Sequence, residues 1–175
     1  MRKVIIAFMV MGLLFLPIGC ANPGSDGDFK TVDIALVGSM SVPALWTELV
    51  EFGDEGVESY EWIDEGSDFD QFIGLVYIPP SVFRDAYAML FDIALALKEY
   101  GSEGNEFGVV SLDGVDVDYF KCEHRDENLG KVASVYVICF HTYNGGTVSV
   151  MIQSSPDGIG ALEELVIGSF ELARR

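Results

Sequence analysis

Two apolar runs joined by a tight turn constrain this chain more than any other feature. Residues 132–142 and 147–153 flank Tyr143-Asn144-Gly145-Gly146, and Asn and Gly there can take the positive φ values that a hairpin turn demands. Counting outward with Asn144-Gly145 central pairs Val137 with Ile152, Cys139 with Val150 and His141 with Val148, and puts Ile138 and Met151 together on the opposite face. Both faces of the hairpin are therefore apolar. A sheet apolar on two sides must be covered on two sides.

Two helical segments are available to cover it. Pro79-Pro80 ends the preceding strand, because proline cannot donate to a ladder, and Ser81 is placed to cap a helix running to about Tyr100, with Gly101 as its stop. Phe83, Ala86, Tyr87, Leu90, Ala94 and Leu97 form its apolar stripe. The second helix starts at Ser155-Pro156, runs to about residue 172, and buries Ile159, Leu162, Leu165, Val166 and Phe170.

Upstream, residues 29–37 alternate as a half-buried strand, and Ser41, Pro43, Leu45, Trp46, Leu49 and Val50 predict a short helix. Strand-like runs follow at 57–63 and 69–78 around Gly66-Ser67-Asp68, then a polar loop at 101–106 and a hairpin of 107–112 and 115–123 through Asp113-Gly114. The expected fold class is α+β, with an antiparallel sheet covered by helices on both faces. That order resembles the PsbP-like and DcrB-like α/β/α sandwiches, in which the chain closes on a helix ending in a Ser-Phe pair, here Ser169-Phe170. The resemblance implies a non-enzymatic binding or assembly module, and no site residue carries over from it.

The amino terminus has a different character. Arg2 and Lys3 precede an apolar run of 13 residues from Val4 to Leu16, followed by Pro17-Ile18-Gly19-Cys20. A spanning helix needs about 20 apolar residues, so this run reads as an export signal that is removed. Its small-residue-then-cysteine ending resembles the lipobox of bacterial lipoproteins, with Gly19-Cys20 in the expected places and Pro17 where the family usually has leucine. The resemblance implies a diacylglycerol, and commonly an N-acyl chain such as palmitate, on Cys20; each buried methylene contributes about 0.8 kcal/mol to membrane attachment. The alternative is ordinary secretion, since Gly19-Cys20-Ala21 also suits a general signal peptidase. The expected organisation is a signal peptide at 1–19, a lipid-anchored tether of small and turn-forming residues at 20–28, and a single domain at 29–175.

Charge narrows the partners. The chain carries 10 basic and 28 acidic residues for a net charge of −18; removing 1–19 takes away Arg2 and Lys3 and leaves 8 against 28, or −20. Such a chain is repelled by nucleic acid and by anionic head groups, so membrane attachment falls to the lipid, and the protein partner that suits it is a basic envelope protein.

Three groups of residues are candidate sites. Cys122 and Cys139 are a candidate disulfide in an oxidising compartment, and with His124 and His141 they have the types of a Cys2His2 metal site. Strand register opposes both: with 125–131 as a loop, Cys122 falls near Ser134 and Cys139 lies about five residues, or roughly 17 Å, farther along, whereas bridged Cα atoms lie within about 7 Å. Cys139 therefore reads as a buried apolar residue. Asp64, Glu65, Asp68 and Asp70 surround the 66–68 turn and are candidate calcium ligands, in a stretch with no lysine or arginine between Lys30 and Arg84; a solvated acidic face is the plainer reading. Trp46, Tyr60 and Trp62 lie beside that stretch and form a candidate partner surface, with core packing as the plainer reading. The sequence contains no G-x-S-x-G, P-loop, G-x-G-x-x-G or H-E-x-x-H pattern and calls for no cofactor. The expected function is a lipid-anchored, non-catalytic envelope module for binding or assembly, with an envelope cation-binding protein as the alternative.

Overall fold

The computed structural model describes residues 29–64, 71–82, 84–126 and 131–174. The expected leader and tether, the expected 66–68 turn and Phe83 lie outside the described residues.

The fold is α+β, with two helices and two antiparallel sheets among the described residues. Phe29–Ile34 (β1) pairs with Gly38–Pro43 (β2), and Glu171–Leu172 (β10) adds to the other side of β2 to complete a three-stranded sheet. The larger sheet has seven strands. Its spatial order is Thr47–Phe52 (β3), Glu58–Ile63 (β4), Phe72–Ile78 (β5), Thr147–Ser154 (β9), Lys131–His141 (β8), Val115–Asp126 (β7) and Glu103–Leu112 (β6). The helices are Ala86–Glu99 (α1) and Ile159–Gly168 (α2).

The two-faced hairpin is indeed the centre of the sheet, and all eight residues of β9 are buried. Side-chain alternation divides it between two cores. Val135, Val137, Cys139 and Met151 join Leu90, Ile93 and Leu97 of α1 in one cluster. Tyr136, Ile138, Phe140, Val150 and Ile152 join the other, with Ile159, Leu162 and Val166 of α2 and with Ile34, Met40 and Val42 of the small sheet. The second face is thus covered by a helix and a sheet together.

The register of that hairpin differs by one residue from the sequence count: Val137 pairs with Met151, Cys139 with Ser149 and His141 with Thr147. The turn is the cause. Gly145 N–H donates to Thr142 O at 3.0 Å and Thr142 N–H to Gly146 O at 2.9 Å, so the tight turn begins at Thr142 and Gly145, at φ 84°, supplies the left-handed residue that closes it. Pairing residues of like parity sorts Met151 with Val137 and Val150 with Ile138.

The short helix expected over 41–50 is absent: this segment forms β2, a turn in which Trp46 N–H donates to Pro43 O at 3.3 Å, and β3. Leu45, Leu49 and Val50 recur at helical spacing but are exposed, so a helix here would have had no surface for its stripe, whereas the ladder to β4 satisfies the backbone. Residues 103–106, expected as loop, open β6, with a register shift between Glu103 and Glu106. The strand expected over 29–37 stops at Ile34, because Leu36 turns the chain at φ 67°.

α1 begins five residues after Ser81. Asp85 is its N-cap, accepting the Ala88 N–H at 2.9 Å, and residues Pro80–Val82 form a 3-10 turn before it. Its buried face includes Met89 and Ile93, while Tyr87, expected inside, is exposed with Phe91 and Leu95. α2 stops at Gly168, short of the expected 172, and Ser169 fixes the stop: its hydroxyl donates to Leu165 O at 2.6 Å and accepts the Ser41 N–H of β2 at 2.8 Å. Phe170 then packs edge-on to Phe140 with centroids 5.7 Å apart. The Ser-Phe pair therefore joins the last helix to both sheets. Gly38, at φ 139°, lets β10 approach β2 so closely that a Cβ there would collide with the Glu171 carbonyl.

Candidate functional site

The β3–β4 ribbon brings acidic, aromatic and exposed aliphatic side chains together. Its register pairs Glu48 with Trp62, Leu49 with Glu61, Val50 with Tyr60, Glu51 with Ser59 and Phe52 with Glu58. Alternation puts Glu48, Val50, Phe52, Glu58, Tyr60 and Trp62 on one face and Leu49, Glu51 and Glu61 on the other.

On the first face Trp62 is fully buried and stacks on Tyr60, with ring centroids 6.3 Å apart. Trp46 and Tyr60 are partly buried against the same core. These three aromatics are thus core and core margin. The Trp62 Nε1–H has no hydrogen-bond acceptor among the described residues. Tyr60 donates its hydroxyl to Glu58 at 2.6 Å. Burial, then this hydrogen bond and the charges of Glu58 and Glu48, push its phenol up to about 12. Lys30 reaches across from β1 to Glu48 at 3.2 Å, an exposed pair worth about 0–1 kcal/mol.

On the second face burial, with the charge of Glu51 as a further cause, holds the Glu61 carboxyl above its ordinary value. Glu61 is therefore a carboxylate that a positive group would relieve. Exposed aliphatics lie among them: Leu49 and Val50 are roughly half exposed, and Phe52 is 76 % exposed. Sequence reasoning passed over Leu49 and Val50 by placing them on a helix and did not single out Phe52; the signal for a strand was Thr47, Val50 and Phe52 ahead of Gly53.

Of the candidate calcium ligands, Asp64 lies just past β4 and donates its N–H to Gln71 O at 3.0 Å. Glu65, Asp68 and Asp70 lie outside the described residues.

The cysteine and histidine candidates are not brought together. Both thiols are free and buried. Cys122 pairs with Val135 and Cys139 with Asp118, which separates them by four residues, or roughly 13 Å at strand rise, so the candidate disulfide is not formed. His124 pairs with Ala133, eight residues from His141 along β8 and so roughly 26 Å away. Among the described residues no three His, Cys, Asp or Glu side chains cluster in a way that could hold a metal ion, and the Cys122, His124, Cys139 and His141 set fails on this separation. Burial pushes the Cys122 thiol up to about 11, against a hydrogen bond with Ser102 that lowers it, and burial raises Cys139 further still. Thiols held so firmly protonated are poor nucleophiles and poor ligands.

His141 has a structural position. Its Nε2 accepts the Ala86 N–H at 3.4 Å at the start of α1, and its Nδ1 lies 3.3 Å from Thr147 Oγ1, which in turn donates to Arg84 O. The ring thus joins the β8–β9 turn to the helix N-terminus.

No protein-family model and no curated protein matches the chain. Its fold is similar to a crystal structure from Bacteroides thetaiotaomicron VPI-5482, with a TM-score of 0.50 and 19% identity over 86% of this chain and 50% of that one. The chain thus spans half the length of that protein, and the likeness is one of fold. LpqN of Mycobacterium tuberculosis, described as involved in cell envelope biogenesis, aligns over 86% of this chain and 87% of its own, with 11% identity and a TM-score of 0.49.

Proposed function

We propose that this chain is a lipid-anchored, non-catalytic module of the cell envelope, held at a membrane through Cys20 and engaging a protein partner through its α+β domain, a variant of the PsbP-like sandwich. The observation that carries this reading is the leader: a basic pair, a 13-residue apolar run and Gly19-Cys20. Physical chemistry supports lipid as the anchor. A chain of net charge −18 is repelled by anionic head groups. No helix among the described residues is long and apolar enough to cross a membrane. Two or three acyl chains on Cys20 would supply the attachment that protein charge opposes.

The test is mass spectrometry of the amino-terminal peptide from native membranes, compared with Cys20→Ser and with globomycin treatment. The expected product begins at Cys20 and carries the mass of its acyl chains, and Cys20→Ser abolishes membrane retention. An unmodified amino terminus with unchanged solubility would establish ordinary secretion instead.

A further inference from the structure

We propose that the free edge of β3 is a strand-addition site for an extended, basic segment of a partner protein, whose backbone pairs with Glu48, Val50 and Phe52 while its lysine or arginine side chains meet the ribbon's carboxylates. This rests on the reading of the chain as a binding module and names the surface and the partner's chemistry.

The backbone directions follow from two hydrogen bonds. Gly53 N–H donates to Val57 O at 2.8 Å, and Asp64 N–H donates to Gln71 O at 3.0 Å, at opposite ends of β4. In an antiparallel ladder, residues whose N–H and C=O face one neighbour alternate with residues facing the other. Gly53, Glu51, Leu49 and Thr47 therefore face β4, and Phe52, Val50 and Glu48 present their N–H and C=O groups away from it. β3 is the terminal strand of the seven, so these groups lie on the sheet's rim.

The two rims of this sheet differ. β6 is interrupted by the register shift between Glu103 and Glu106, a bulge of the kind that blunts an edge. β3 pairs without interruption over its whole length and contains neither proline nor lysine. Its two carboxylates, Glu48 and Glu51, are the only charged groups on it. They discourage an acidic strand, including a second copy of this chain at −18, and favour a basic one. Because Val50 and Phe52 share a face with Glu48, and Leu49 shares a face with Glu51, the fitting strand mixes basic and apolar side chains on both of its own faces.

The experiment titrates a peptide repeating Lys-Lys-Val-Val into the full chain held in detergent, and follows binding together with residue-resolved amide exchange. The expected result is saturable binding that weakens with salt, with new protection at the Val50 and Phe52 amides and none at Glu51, whose amide already faces β4. Val50→Pro removes one outward donor and leaves the β3–β4 ladder bonds in place; it weakens binding about tenfold while Val50→Ala, which keeps the donor, weakens it less. Glu51→Lys, which leaves the Lys30–Glu48 pair intact, weakens binding about tenfold with the melting temperature preserved. A repeat of Glu-Glu-Val-Val does not bind. No binding of the basic peptide, protection elsewhere than β3, or equal binding by Val50→Pro and Val50→Ala would overturn the proposal. So would a concentration-dependent dimer that protects the same amides, which would assign the rim to a second copy. Acylation at Cys20 is read separately, so loss of the anchor would leave this binding measurement intact, and loss of binding would leave the anchor intact.

Discussion

β9 and β3 belong to one antiparallel sheet and follow one hydrogen-bonding geometry, yet they lie at opposite extremes of burial. All eight residues of β9 are buried, whereas in β3 Thr47 is half-buried and the other five are exposed. Valine shows the contrast without a change of chemistry: Val150 is 0% exposed and Val50 41%. Strand order makes the difference, since β9 has neighbours on both sides and a covered surface above and below, and among the described residues β3 pairs with β4 alone. The centre of the sheet holds the fold together, and its rim is available for contact.

The largest test of that division compares Ile152→Ala with Phe52→Ser in urea unfolding. Ile152 is fully buried beside Tyr136 and Ile73, and truncation there is expected to destabilise by about 2–5 kcal/mol. Phe52→Ser is expected to fall within about 0.5 kcal/mol. Equal effects would mean that β3 is covered in solution. Next comes Ser169→Ala, which strands the Ser41 N–H and loosens the closure of α2 on the small sheet; about 1–3 kcal/mol should be lost in the same measurement. Asp85→Ala removes the α1 cap and should cost about 0.5–2 kcal/mol. The smallest effect sharpens the picture of the rim. Glu61 has a folded-state pKa raised above its ordinary 4.5 by burial and then by Glu51, so the folded chain binds that proton more tightly than the unfolded one. Stability is therefore lost as pH rises from 4.5 through the raised value. Glu61→Gln should stabilise the protein at pH 7, with the gain fading as pH falls through the raised value and gone below 4.5, measured as thermal melting across pH; a gain independent of pH would remove the electrostatic account.

The centre of the fold was legible in the sequence and the rim was not. Residues 132–142 and 147–153 announce a hairpin buried on both faces because apolar side chains fall on both parities of the two runs, and the turn residues mark its place. Even there, the register slipped by one, since Asn144-Gly145 suggests a two-residue turn and the backbone instead closes from Thr142 with Gly145 left-handed. At 41–50 helical spacing and strand pairing were both compatible with the residues, and the decision came from β4, which is distant from any local pattern. The start of α1 turned on competition between Ser81 and Asp85 as caps, and Pro80–Val82 takes the 3-10 turn that leaves the cap to Asp85. The separation of Cys122 from Cys139 was foreseen in direction, with the true offset one residue smaller than the count.

By itself the sequence determined the apolar inventory of the two-faced hairpin, the need to cover it twice, the large negative charge, and a 13-residue apolar run behind Arg2 and Lys3. Those are properties of composition and spacing, which exist before any contact forms. Tertiary structure decided which strand became the rim, which cap began the helix, and that the second face would be covered by a helix and a small sheet together. Each of these depends on where a distant partner arrives, because a backbone hydrogen bond or a buried side chain is stabilised only by the group it meets.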